Sequence, residues 1–187
     1  MEAFLTSAGL VALAEIGDKT QLLAIVLAAR FRAPVPIILG ILAATLLNHS
    51  AAATLGYFIA QWLTGQTFQL IVGAAFILMA GWALIPDKED ERAGNAEAGG
   101  VFLTTLIAFF FVEIGDKTQI ATSLLAAQFQ NIALVTAGTT FGMMLANVPA
   151  VLLGEAVTHI VPLTYVRMAA ALVMAATGVG IVVAALV

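Results

Sequence analysis

Hydrophobic residues run along this chain in long blocks, with no strict alternation and no narrow stripe. Apolar stretches cover residues 3–29, 35–61, 68–85, 101–127, 132–157 and 166–187. Each reaches the roughly 18–20 residues that an α-helix needs to cross a hydrocarbon core of about 30 Å. Polar and helix-ending residues fall between the blocks: Arg30, Arg32 and Pro34 after the first, Thr64 to Gln66 after the second, Gln128 to Asn131 after the fourth, and Pro162 before the sixth. The pattern predicts an all-α integral membrane protein of six transmembrane helices. Residues 87–100 stand apart, with Asp87, Lys88, Glu89, Asp90, Glu91, Arg92 and Glu97 set among Gly, Asn and Ala. This reads as a solvated acidic linker between a first half, residues 1–86, and a second, residues 101–187.

Composition agrees. Of 187 residues 62% are hydrophobic and 10% charged, against about 25% charged in ordinary soluble domains, and the mean hydropathy is +1.07. No basic stripe exists and the net charge is −4, which excludes nucleic acid as a partner and leaves the lipid bilayer. The absence of cysteine excludes disulfides, thiolate metal sites and thiol nucleophiles. Ala12 to Ala14 has the small-x-small form of a leader cleavage site, but the preceding residues hold Glu2 and no Lys or Arg, so no cleavage is expected.

The two halves repeat each other. Glu15–Gln21, reading Glu-Ile-Gly-Asp-Lys-Thr-Gln, returns letter for letter as Glu113–Gln119, an offset of 98 residues. The same offset pairs Gly40 with Gly138, Leu47 with Leu145 and Gly56 with Gly154, while the third spans match poorly. Three spans per half is an odd number, so the second copy would enter the membrane from the opposite face. The expectation is two inverted-topology three-helix repeats, an arrangement of transporters. Outside the motif, Arg30, Arg32, Lys88, Arg92 and Arg167 all fall on one side. The linker should be cytoplasmic and both termini outside.

The chemistry lies in the repeated motif. Glu15, Asp18, Glu113 and Asp116 would sit near the middle of the first and fourth spans, where an ionised side chain costs on the order of 3 kcal/mol even on lenient scales. In a continuous helix Glu15, Asp18, Lys19 and Leu22 share one face, as do Glu113, Asp116, Lys117 and Ile120. A pseudo-two-fold axis would bring four carboxylates to one place, which demands protons, Lys19 and Lys117, or a bound cation. Gly17 and Gly115 either let helices approach closely or let the helix unwind. Thr20, Gln21, Thr118 and Gln119 offer neutral oxygens, and Asn48 and Asn147 could complete the shell. His49 reads as a buried hydrogen-bonding group or a proton acceptor, and Met143 and Met144 as packing. An oxygen-dominated donor set suits hard divalent cations such as Mn(II), Ca(II) or Mg(II).

Two other readings stand beside a cation transporter: a structural or regulatory membrane protein whose charges lock its helices together, and an exporter of another small solute. An enzyme is not expected, since no His-Glu-x-x-His, Gly-x-Ser-x-Gly or glycine-rich nucleotide loop occurs.

With two complete copies of Glu-x-Gly-Asp-(Lys/Arg)-(Thr/Ser), the sequence resembles the Gdt-type family of cation/proton exchangers over essentially its whole length. Its small all-membrane form resembles the bacterial MneA-type manganese exporters. The resemblance implies exchange of Mn(II), and in some relatives Ca(II), against protons as coupling ion. It implies Glu15, Asp18, Glu113 and Asp116 as metal ligands, no cofactor, and residence in a bacterial inner membrane.

Overall fold

A computed structural model describes residues 1–63, 65–85, 100–153 and 163–187. The predicted acidic linker, apart from Gly100, lies outside the described residues, as do Gly154, Glu155 and His159. Among the described residues every regular element is a helix: α1 (Glu2–Glu15), α2 (Lys19–Phe31), α3 (Pro34–Trp62), α4 (Gln66–Ala83), α5 (Gly100–Glu113), α6 (Lys117–Phe129), α7 (Ile132–Leu153) and α8 (Leu163–Leu186). Four of these contain apolar spans long enough to cross a bilayer, namely Pro34–Trp62, Gln66–Ala83, Ile132–Leu153 and Met168–Leu186.

The remaining four helices correct one expectation. Residues 3–29 and 101–127 do not form continuous helices: each stretch is two short helices in series, interrupted at the repeated motif. At 13 or 14 residues, each piece is only about 20 Å long. The cause is the backbone at the glycines, where Gly17 has φ 80° and Gly115 φ 76°. That left-handed region is open to glycine and disfavoured for other residues. The two motif carboxylates therefore do not share a helix face: Glu15 ends α1 and Asp18 precedes α2, as Glu113 ends α5 and Asp116 precedes α6.

Many large apolar side chains point outward while a set of polar ones points inward, beside a buried apolar core that includes Leu10, Leu27, Phe76 and Phe109. Leu5, Leu55, Leu78 and Leu172 are exposed, whereas Ser7, Thr45, His49, Thr105, Thr122, Thr139 and Asn147 are buried. This suits a lipid surround, where apolar surface gains nothing by hiding and helices associate through close packing and interhelical hydrogen bonds. α1 lies along α7 and α5 along α3, α4 pairs with α8, and α3 also packs on α6 and α7.

Two close approaches between helices obey the 98-residue offset. A methyl group added at Gly40 in α3 would lie 2.8 Å from the Phe102 carbonyl oxygen and 2.7 Å from Thr105 Cβ of α5. One added at Gly138 in α7 would lie 2.5 Å from the Phe4 carbonyl oxygen and 2.9 Å from Ser7 Cβ of α1. Both glycines and both partners are shifted by the same 98 positions. Since overpacking costs about 1–3 kcal/mol, Gly40→Ala and Gly138→Ala should each lower the thermal unfolding temperature of the detergent-solubilised protein. Gly81→Ala, where the added methyl meets nothing within 4 Å, should leave it unchanged or raise it.

Candidate functional site

Each helix break is built the same way. The Asp18 amide donates to the Glu15 carbonyl at 3.0 Å, and the Asp116 amide to that of Glu113 at 3.1 Å, so the chain makes one tight turn before the next helix starts. The glutamine of the motif closes the turn: Gln21 Oε1 accepts the Gly17 amide at 2.9 Å, and Gln119 Oε1 accepts the Gly115 amide at 2.6 Å. These glutamines, expected as oxygen donors beside the carboxylates, serve the backbone of the break. Gln21 also ties it to α7, donating Nε2 to the Ala146 carbonyl at 3.1 Å.

The threonine of the motif orients the glutamate. Thr20 Oγ1 donates to Glu15 Oε2 at 2.6 Å and Thr118 Oγ1 to Glu113 Oε2 at 3.3 Å. Both glutamates are fully buried, and Oε1 of each has no hydrogen-bond partner among the described residues. Asp18 and Asp116 occupy the N-cap positions of α2 and α6, yet neither side chain makes the capping hydrogen bond that an aspartate there commonly provides. Asp116 turns instead to Lys19 Nζ, 2.9 Å away in the other half of the chain, and lies 3.5 Å from Thr118 Oγ1.

Glu15, Glu113 and Asp116 thus converge: one carboxylate oxygen from each lies within 4.8 Å of the others. Asp18 is not part of that triad. It lies beside Gly17, Ala83, Lys117, Ala170 and Met174, which line a small cleft at the first break. At 4.8 Å two like unit charges repel by about 3–4 kcal/mol at an effective dielectric constant of about 20, so three buried carboxylates cannot all ionise without compensation. Lys19 at Asp116 supplies part of it, and a dication among their oxygens, or protons on them, would supply the rest.

Identical in sequence, the two lysines differ in setting. Lys19 bridges to Asp116, whereas Lys117 donates to the Ile85 carbonyl at 3.0 Å and lies 5.8 Å from the centre of the Trp82 ring. Ile85 and Trp82 were missed by sequence reasoning, because no motif marks a backbone carbonyl at a helix end. Asn48 donates to the Phe110 carbonyl at 3.0 Å, bracing the turn of α5 before Glu113. Asn147 spends its amide on the Met143 carbonyl at 3.1 Å and on Met143 Sδ at 3.0 Å.

Comparison with known proteins gives two matches. The family described as "Divalent cation/proton antiporter GDT1" matches residues 3–91 and 101–187. A protein of Vibrio cholerae serotype O1 named "Putative manganese exporter" is 51% identical over 158 residues, which cover 84% of this chain and 78% of that one. No solved structure matches the chain.

The ion pair makes a test independent of any ligand. Removing one partner of a buried pair strands a charge, whereas removing both does not. In chelator, Lys19→Met should destabilise the protein more than Lys19→Met with Asp116→Asn, the second change recovering about 1–3 kcal/mol in thermal unfolding.

Proposed function

Because the chain belongs to the GDT1 family of divalent cation/proton antiporters, we propose that it exports Mn(II) from the cytosol in exchange for protons. The observation that carries this reading is the convergence of Glu15, Glu113 and Asp116 from two helix breaks in a buried place. We assign these three as ligands, and Asp18, the repeat counterpart of Asp116, as the carboxylate that replaces it when the exchanger faces the other way. The manganese export named for the Vibrio cholerae relative supports Mn(II) as cargo; an all-oxygen triad would also admit Ca(II).

Charge balance supports antiport. Glu15, Asp18, Glu113 and Asp116 with Lys19 and Lys117 carry a net −2 when all are ionised, the charge that one divalent ion or two protons cancels. Metal and protons then compete for the same oxygens, and neither leaves without the other arriving. Exchange of two protons per ion moves no net charge.

The six spans we propose are α1 with α2, α3, α4, α5 with α6, α7, and α8, forming two inverted-topology repeats. The exchanged contacts of Gly40 and Gly138 support this pairing. Half-helices meeting at the midplane place α2 and α6 with their positive ends toward the carboxylates. One repeat rocking against the other would expose the site to each side in turn. The Lys and Arg distribution supports a cytoplasmic linker in the inner membrane, with both termini outside. In that orientation the small cleft at Asp18, which Ala83 at the end of α4 and Ala170 and Met174 within α8 also line, would serve as the loading path from the cytosol.

The test is proton-driven Mn(II) uptake into everted membrane vesicles. Acidifying the interior should accelerate uptake. Glu15→Gln and Glu113→Gln should each reduce it to background, a loss of at least about 100-fold, while the variants still insert into the membrane. Normal pH-driven uptake by both variants would overturn the proposal.

A further inference from the structure

A fixed cation reaches the buried triad. Lys19, the first residue of α2, holds its Nζ 2.9 Å from Asp116 Oδ1. The other two carboxylates are met by neutral groups: Thr20 donates to Glu15 and Thr118 to Glu113, while Oε1 of each glutamate has no hydrogen-bond partner among the described residues. Lys117, the repeat counterpart of Lys19, donates instead to the Ile85 carbonyl at 3.0 Å. The ammonium of Lys19 is thus set on one of the three converging acids, at the junction of the two halves of the chain.

Taken as a unit, ionised Glu15, Glu113 and Asp116 with Lys19 bear three negative charges and one positive, a net −2. Asp18 and Lys117 line the cleft at the first break together, and their opposite charges leave that sum unchanged. A dication brings the unit to neutrality, whereas a trication would leave it one charge positive. In a buried place an uncompensated charge is strongly disfavoured. Without the lysine the balance moves by one: three bare carboxylates match a trication. Ion size cannot make this distinction, because La(III) is nearly as large as Ca(II) and seeks the same carboxylate oxygens. Coulomb attraction grows with the charge of the ion, so an all-carboxylate cluster favours the lanthanide.

We propose that Lys19 is a specificity-determining residue for the charge of the cargo: its ammonium, fixed on Asp116, lowers the triad to a net −2 and makes the site prefer dications to trications of the same size. This rests on the export reading above and concerns the class of ion that the same site accepts. Bridging through Oδ1 leaves Asp116 its second oxygen, Oδ2, so the lysine sets the charge of the site without taking the whole carboxylate. A pair that only fastened helices together would leave the choice between ions of equal size and different charge untouched.

The test is displacement of bound Mn(II) from the purified protein in detergent by La(III) and by Ca(II), followed through the electron paramagnetic resonance signal of free Mn(II). The readout is the ratio of the La(III) and Ca(II) concentrations that release half of the Mn(II), from which the amount of folded protein cancels. From the unsubstituted protein La(III) should displace Mn(II) no more effectively than Ca(II) does. In Lys19→Met La(III) should gain at least about tenfold over Ca(II), since one unit of repulsion is removed from the site; Lys19→Arg, which keeps the charge, should keep the original ratio. The first comparison needs no variant and decides even where Lys19→Met does not fold. La(III) far ahead of Ca(II) in the unsubstituted protein, or a ratio unmoved by Lys19→Met, would overturn the proposal and leave the export reading in place. Absence of Mn(II) binding by the unsubstituted protein would overturn both.

Discussion

Negative charge held away from water sets the terms for this molecule. Glu15, Glu113 and Asp116 meet within 4.8 Å, and all three are buried. In such a place their mutual repulsion exceeds what helix packing alone repays. The chain offers one partial answer of its own, the Lys19–Asp116 ion pair between the two halves. The remaining negative charge would be balanced by a dication or by protons.

The local structure serves that convergence. A continuous helix would send Glu15 and Asp18 along one side of a rod, each with its backbone amides and carbonyls already spent. The left-handed glycines break the rod, Gln21 and Gln119 seal the breaks, and Thr20 and Thr118 aim the glutamates. Gly40 and Gly138 then bring the half-helices within reach of each other's repeat, since α5 lies on α3 and α1 on α7. The glutamate, glycine, threonine and glutamine of the motif have the same identifiable task in both copies, which accounts for their recurrence. The lysines show that identical sequence does not enforce identical contacts: Lys19 reaches Asp116, while Lys117 reaches the end of α4 at Ile85.

Much of this could be read from the residues alone. Four of the six apolar blocks announced helices of membrane length, and the exact doubling of Glu15–Gln21 pointed to the carboxylates. The breaks could not be read with the same assurance, because a glycine in an apolar helix serves close packing or unwinding equally well, and only the backbone angles distinguish them. Gly40 and Gly138 took the first course, Gly17 and Gly115 the second. Residues that work through backbone groups left no pattern at all: nothing in the sequence marks the carbonyls of Ile85, Phe110 and Ala146 as the acceptors for Lys117, Asn48 and Gln21. Asp18 and Asp116 occupy the same place in their motifs, yet only Asp116 joins the buried triad. Sequence identity between the copies could not foretell that difference.

Whether the convergent acids hold a metal ion jointly is decided most directly by counting bound Mn(II) at equilibrium. The electron paramagnetic resonance signal of free Mn(II), titrated against the purified protein in detergent, reports that number. One saturable ion per chain is expected, displaced by acid and lost when Glu15, Glu113 or Asp116 is replaced singly by its amide. Undiminished binding with all three replaced together would contradict the assignment of the ion to this site.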